Sequence, residues 1–185
     1  LYHSSSCLLK YKKEISPMLK SHEEFFGRGL LYVGLALIQG VIICLGDLYF
    51  LGIQCLHPVQ FIFAGALASV VFSMFIYSLV YTFGDVGKAI GVILLVIQIG
   101  GSGGTFPIHV TPQFFISINP YLPFTFVIEA MRECICGSYG NNYWIYLLKL
   151  LVYAVLALII GLPVKKMVKK PVSFFEKRVK ETGLF

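Results

Sequence analysis

The sequence is short of charged residues. Asp, Glu, Lys and Arg together make up 13% of its 185 residues, about half the share found in soluble domains. Three stretches carry no charge at all: 29–46, 48–84 and 89–128. A membrane-spanning helix needs about 20 mostly apolar residues. Uncharged stretches of this length argue against a soluble globular domain and predict a multi-pass membrane protein.

The sequence also lacks the motifs of catalysis and of cofactor or metal binding. The glycine run "GGSGG" is not a phosphate loop, because Gly104 is followed by Thr105 and Phe106 where Lys and Ser or Thr are needed. A dinucleotide-binding loop would need Gly or Ala in place of Phe106. The four histidines are isolated, and Cys134 and Cys136 lack the spacing of a zinc pair. We therefore expect no enzyme activity, no cofactor and no metal site in this chain.

Apolar residues are abundant, at 57% of the chain, and they come in long blocks. The blocks predict an all-α integral membrane protein with short interfacial outer helices and four transmembrane helices, at about 29–50, 59–83, 86–101 and 143–164. A cytoplasmic interfacial segment, 1–28, precedes the transmembrane domain, 29–164, and a basic cytoplasmic tail, 165–185, follows it. Within the domain, residues 102–142 form an outer re-entrant or interfacial segment. Because the chain opens on Leu1 without a signal peptide, we expect it to be a fragment of a longer protein.

Lys and Arg are distributed unevenly around the predicted helices. With both ends placed inside, thirteen of the fifteen basic residues fall in cytoplasmic segments, and only Arg132 and Lys149 lie on the outer side. Basic residues hold loops on the cytoplasmic side of a membrane. The pattern predicts a plasma-membrane protein with both ends of this chain in the cytoplasm. It also explains the net charge of +6 without a nucleic-acid partner.

The stretch "IGGSGGTFPIHV" (99–110) breaks the third apolar block near the predicted outer surface. Broken backbone is tolerated in a membrane only at an interface, inside protein or beside water. We expect a structural hinge that ends the third helix and leaves the freed carbonyls to headgroups and water. Its residues are Gly100, Gly101, Gly103, Gly104 and Pro107. The turn would lay four apolar side chains into the outer leaflet: Phe106, Ile108, Phe114 and Phe115.

Two short helices are predicted in the outer segment. The first has Thr111 as its cap and Pro112 as its first residue, and the second begins at Pro123 and ends at Gly137. On the second helix, three charged residues are spaced i, i+3 and i+4 and share one face: Glu129, Arg132 and Glu133. This outer charged face is either a solvated surface or a site for gating or partner contact.

Small residues recur at four-residue intervals in the second span, where they let another helix pack closely: Gly65, Ser69 and Ser73. On the predicted outer side, Cys55 could pair with Cys134 or with Cys136, the alternative being free thiols.

The segment before the first span starts a helix at Ser16 and Pro17, an N-cap followed by a first-turn proline. Met18, Phe25 and Phe26 then share one helical face, which is typical of a short helix on the membrane surface. A plain lead-in to the first span fits the same residues.

Two motifs together resemble the C-terminal membrane region of the phage-infection-protein (Pip/YhgE) family, which belongs with the type 2 ABC transporter permeases. They are "SGGTFPI" (102–108) and "PYLPFTFVIEAMRE" (120–133), and the resemblance runs from about Tyr11 to Lys170. It implies that the four helices are the last four spans of a permease subunit, and that the outer segment forms a pair of external helices. It also implies that the segment containing Met18, Phe25 and Phe26 is a coupling element that meets an ATPase subunit.

Two functions fit these features. The first is a permease-like module in the lipid bilayer that forms part of an export path, as a homodimer or with another permease-like chain, and with an ATPase on the cytoplasmic side. The second is a membrane anchor for a phage receptor or a secretion-associated surface protein, without transport of its own. The number of spans and the broken outer helices favour the first, because an anchor needs only one span.

Overall fold

The computed structural model describes residues 21–137 and 140–164. Over these two ranges the chain is helical and contains no strand, which confirms the all-α fold class. The α-helices are α1 (Ser21–Tyr49), α2 (Pro58–Phe83), α3 (Asp85–Gly101), α4 (Gln113–Ile118), α5 (Pro123–Cys136) and α6 (Asn142–Ile159). Short 3-10 turns at Ile108–Val110 and Asn119–Tyr121 flank α4, and a π-helical turn at Ile160–Val164 continues α6.

Within the described ranges, three helical segments are long and apolar enough to cross a membrane: Phe25–Tyr49, Pro58–Phe83 and Asn142–Leu162. Helix α3 has 17 residues and reaches about 25 Å at ~1.5 Å per residue, slightly less than the ~30 Å hydrocarbon core. The pair Gln113–Tyr121 and Pro123–Cys136 is bent by 74°, as in a broken span or a re-entrant loop. This is the helix pattern of a multi-pass membrane protein.

Helices α4 and α5 form the two predicted outer helices, and only α5 begins and ends at the predicted residues. Helix α5 begins at Pro123, and its C-cap is Gly137, with a φ of 100°, as predicted. Helix α4 begins one residue later than expected, with Pro112 as its N-cap. Thr111 does not cap it, because the Thr111 hydroxyl donates backwards to the carbonyl of Ile108 at 2.6 Å.

Helix α2 is the centre of the bundle and contacts α1, α3, α5 and α6. It approaches α1 so closely that a Cβ on Gly40 would clash with the side chain of Ser69, and one on Gly65 with the sulfur of Cys44. The Ser73 hydroxyl donates to a backbone carbonyl of α1 at 3.4 Å. The small-residue face predicted on α2 therefore lies against α1, since glycine and serine leave room for a neighbouring helix.

From Ser21 onward, α1 runs without interruption into its membrane span. Phe25 is only 2% exposed: its ring contacts Tyr77 of α2, and a Cβ on Gly161 would clash with it. Phe26 is 54% exposed. Phe25 therefore packs inside the bundle instead of facing a partner, while the coupling element and the plain lead-in both stay predictions for the rest of the segment. Met18 lies outside the described residues.

Candidate functional site

The predicted hinge lies where α3 ends. Helix α3 stops at Gly101, Ser102 is its C-cap, and the next residue, Gly103, has a φ of 72°. Residues with a β-carbon rarely adopt this left-handed backbone conformation, whereas glycine adopts it freely. Gly103 is therefore the hinge residue whose own conformation requires glycine.

Gly101 and Gly104 have a different role in the hinge. Their missing side chains allow residues of the outer segment to approach the backbone closely. A Cβ on Gly101 would lie 2.7 Å from Leu122 Cδ1, and a Cβ on Gly104 would lie 2.7 Å from Ile128 Cδ1. Larger residues would push these two side chains away. The glycines thus let α5 and the turn before it pack directly on the end of α3.

The apolar side chains of the outer segment do not all point outward. Phe106 and Phe114 are 67% and 60% exposed, and Ile108 is half-buried. Phe115 turns back onto α3, and its ring lies 3.3 Å from the position of a Cβ on Gly100. Phe115 thus differs from Phe106 and Phe114, because the missing side chain of Gly100 leaves room for its ring against α3.

Two backbone carbonyls of the hinge accept hydrogen bonds from side chains of the protein. Asn119 Nδ2 donates to the carbonyl of Gly101 at 2.7 Å, and Arg132 Nη2 donates to that of Gly103 at 2.8 Å. An unpaired backbone group in an apolar surrounding costs several kcal/mol. The expectation that headgroups and water take these carbonyls is therefore corrected for Gly101 and Gly103, which are paired within the protein.

Asn119 is held in place by a reciprocal contact with Thr125 in the first turn of α5. Its Nδ2 lies 3.2 Å from Thr125 Oγ1, and the same hydroxyl donates to the Asn119 carbonyl at 2.8 Å. Sequence reasoning missed Asn119. The available signal was an amide side chain directly before Pro120 in an otherwise apolar stretch.

The outer charged face is organised around Arg132. Its Nη1 lies 2.6 Å from Glu129 Oε1, and its Nη2 donates to the carbonyl of Gly103. The side chain of Arg132 is 50% exposed and that of Glu129 is 35% exposed. Glu133 is half-buried on the same helix. The i, i+3 spacing predicted that Glu129 and Arg132 share one helix face, and the structure adds their ion pair and the link from Arg132 to the hinge.

A cavity of about 460 Å³ lies between the hinge and α5. It is lined by the residues from Ser102 to His109 and by Asn119, Glu129 and Arg132. These groups offer hydrogen bonds and charge of both signs, which suits contact with a polar molecule. In the part of the chain that the structure describes, no three His, Cys, Asp or Glu residues cluster to hold a metal.

Cys55 and Cys134 hold the loop between α1 and α2 against the end of α5 without forming a disulfide. Cys55, Cys134 and Cys136 are free thiols. The Cys55 thiol donates to the carbonyl of Cys134 at 3.1 Å, and the backbone N–H of His57 donates to the same carbonyl at 3.1 Å. The connection between α1 and α2 is thereby attached to the end of α5.

Comparison with known proteins gives two matches. Residues 13–162 match the model of a family described as ABC-2 family transporter protein. The chain is also 32% identical over 122 residues to the uncharacterized protein YhgE of Bacillus subtilis (strain 168), an alignment that covers 66% of this chain and 16% of that protein. No solved structure shows significant similarity to the chain.

Proposed function

This chain belongs to the ABC-2 family of transporter proteins, and on that premise we propose that it forms part of a transmembrane export path. The family match and the similarity to YhgE confirm the relation that the motifs around the hinge predicted. The chain spans 16% of YhgE. Transport, substrate and partners are therefore proposed for the whole protein.

The observation that carries the proposal is the braced hinge. Asn119 and Arg132 hold the backbone of the break in a defined position and line the adjoining cavity. A membrane anchor would need only one continuous span, without a braced hinge or an adjoining cavity. We infer that the hinge, α4 and α5 form the outer mouth of the path, with the cavity as its polar entrance.

The distribution of basic residues supports an orientation with both ends of the chain in the cytoplasm. In that orientation the hinge faces outward, and the connection between α2 and α3 faces inward. The path would be completed by a second copy or by another permease-like chain. Because the sequence has no phosphate loop, we assign energy supply to a separate ATPase subunit and no enzymatic role to this chain.

Phe26 is the described residue that best suits contact with such a subunit. It lies at the beginning of the first span and is 54% exposed, whereas Phe25 is covered by the bundle. We propose that Phe26, together with the preceding segment that includes Met18, forms the coupling element.

The test is co-purification of the full-length protein from its native membrane, followed by identification of bound proteins by mass spectrometry. We expect an ABC-type ATPase in a fixed ratio, and its loss in Phe26→Asp. Phe106→Asp, which changes a Phe that is also more than half exposed but lies at the opposite end of the bundle, should retain it. Absence of an ATPase from the wild-type preparation, or equal loss in both variants, would contradict the proposal.

A further inference from the structure

Gln39 lies on α1 near the middle of the first span. It follows Phe25 by fourteen residues and precedes Tyr49 by ten, and these two residues are the ends of that span. The nearer end is therefore about 15 Å away at ~1.5 Å per residue, which is half of the ~30 Å hydrocarbon core. A glutamine side chain is too short to reach the headgroups from this depth.

The amide of Gln39 points away from the bundle. Gln39 is exposed, whereas Gln98 of α3 is only 5% exposed and lies inside the bundle. Over residues 21–137 and 140–164, no group forms a hydrogen bond with the Gln39 amide. A donor and an acceptor would thus face hydrocarbon, where unpaired polar groups are costly. Amide side chains in membrane spans form hydrogen bonds across to other helices instead.

Gln39 belongs to a regular row of residues along α1. The row, which we call the Gln39 seam, advances in alternating steps of four and three residues: Tyr32, Ala36, Gln39, Ile43 and Gly46. This spacing is typical of the contact line between two helices that cross at about 20°. Gly40 and Cys44 are buried against α2, whereas Gln39 and Ile43 are exposed. The seam therefore lies beside the contact with α2 and is open to a further helix.

Small residues flank Gln39 in the seam. Ala36 precedes it by about one turn of the helix, and Gly46 follows it by about two turns. A Cβ on Gly46 would meet no atom within 4 Å, so the space beside this glycine is open. Small residues let a second membrane helix approach closely. An approach of this kind brings the amide of Gln39 within hydrogen-bonding distance of the helix that covers it.

We propose that the Gln39 seam packs against the same seam of a second copy of this chain, with the two Gln39 amides hydrogen-bonded to each other. Two copies inserted in the same direction are related by a twofold axis along the membrane normal, which places equivalent residues at equal depth. The second copy therefore presents, at the depth of Gln39, an amide with both a donor and an acceptor. A single polar residue in such a row also fixes the register of the paired helices. The proposal rests on the second-copy form of the proposed function, but it requires neither transport nor an ATPase.

The test is dimerisation of the full-length protein in liposomes, measured by energy transfer between labelled copies as the ratio of protein to lipid is lowered. The wild type should dimerise. Gln39→Leu should raise the dissociation constant of the dimer about tenfold, because the hydrogen bonds between the two helices are lost. Gln113→Leu is the matched control, since it makes the same change at an exposed glutamine of the outer segment. It should leave the dissociation constant unchanged.

Glycine substitutions test the seam without removing the amide. Gly46 lies in the seam and Gly34 lies on another face of α1, and a Cβ on either would meet no atom within 4 Å. The fold of one chain therefore leaves room for a side chain at both positions. Gly46→Leu should weaken dimerisation because it fills the space for the second helix, and Gly34→Leu should not.

A wild type that stays monomeric at every ratio of protein to lipid would overturn the proposal, because lipid or a different chain would then cover the seam. Equal dissociation constants for Gln39→Leu and Gln113→Leu, or for Gly46→Leu and Gly34→Leu, would overturn it as well. No arm measures transport or ATPase binding, so this proposal and the proposed function fail separately.

Discussion

Arg132 of α5 donates a hydrogen bond to the carbonyl of Gly103, 29 positions earlier in the chain, at 2.8 Å. The same guanidinium pairs with Glu129 at 2.6 Å. A charged helix face and a glycine break, which are separate features of the sequence, are thus one structural unit. Gly103 supplies the left-handed turn, and Arg132 pairs the carbonyl that this turn exposes.

Replacement of Arg132 by Gln should loosen this unit. The change removes the ion pair with Glu129 and shortens the donor that reaches Gly103. We expect a free energy of unfolding lower by about 1 kcal/mol, near the low end for a lost charge-assisted bond because the guanidinium is half exposed. Thermal unfolding of the detergent-solubilised protein measures this. Lys88→Gln, which breaks an exposed ion pair elsewhere, should have a smaller effect. Equal effects would show that the bond to Gly103 contributes nothing.

Gly103→Ala should destabilise the protein through the backbone alone. A Cβ there meets no atom closer than 3.6 Å, so space is not limiting. The φ of 72° is the limiting factor, and a left-handed conformation costs a residue with a β-carbon about 1–2 kcal/mol. Gly34→Ala is the control, because Gly34 lies within α1 with nothing within 4 Å of its Cβ position. That change should be neutral or slightly stabilising. A Gly103→Ala variant as stable as Gly34→Ala would contradict the assigned backbone conformation.

Asn119→Ala should make the end of α3 more dynamic. It removes the donor to the Gly101 carbonyl and the partner of Thr125. We expect faster hydrogen exchange of the backbone amides in 98–105, measured by mass spectrometry of the membrane-embedded protein. Ser117→Ala removes only a hydrogen bond within α4, to the carbonyl of Gln113, and should leave exchange in 98–105 unchanged. Unaltered exchange in Asn119→Ala would show that water or lipid pairs the carbonyl instead.

The sequence was sufficient for the features that depend on local pattern. Apolar blocks predicted the three long apolar helices, the glycine run predicted the end of α3, and the i, i+3 spacing placed Glu129 and Arg132 on one face. Contacts between distant segments leave no periodicity in the sequence. The bonds from Asn119 to Gly101 and from Arg132 to Gly103 are of this kind, with separations of 18 and 29 residues.

Phe25 shows a second limit of sequence pattern. An apolar helix face predicts that something covers it, but not whether the cover is lipid, a partner or the same chain. Here α2 and the end of α6 cover Phe25, and the close contact depends on the absence of a side chain at Gly161. Phe115 is comparable, since its ring packs on Gly100 of α3. In both positions, a glycine far away in sequence decides where an aromatic ring lies.

Thiol labelling tests directly whether the hinge is the outer mouth of the molecule. In a background without native cysteines, Thr105→Cys places a thiol in the exposed hinge, and Lys88→Cys places one at the start of α3, at the opposite end of the bundle. An impermeant thiol reagent applied to intact cells should label Thr105→Cys and should label Lys88→Cys only after permeabilisation. Labelling of Lys88→Cys from outside, with Thr105→Cys protected until the cells are opened, would contradict the orientation and the outer mouth together.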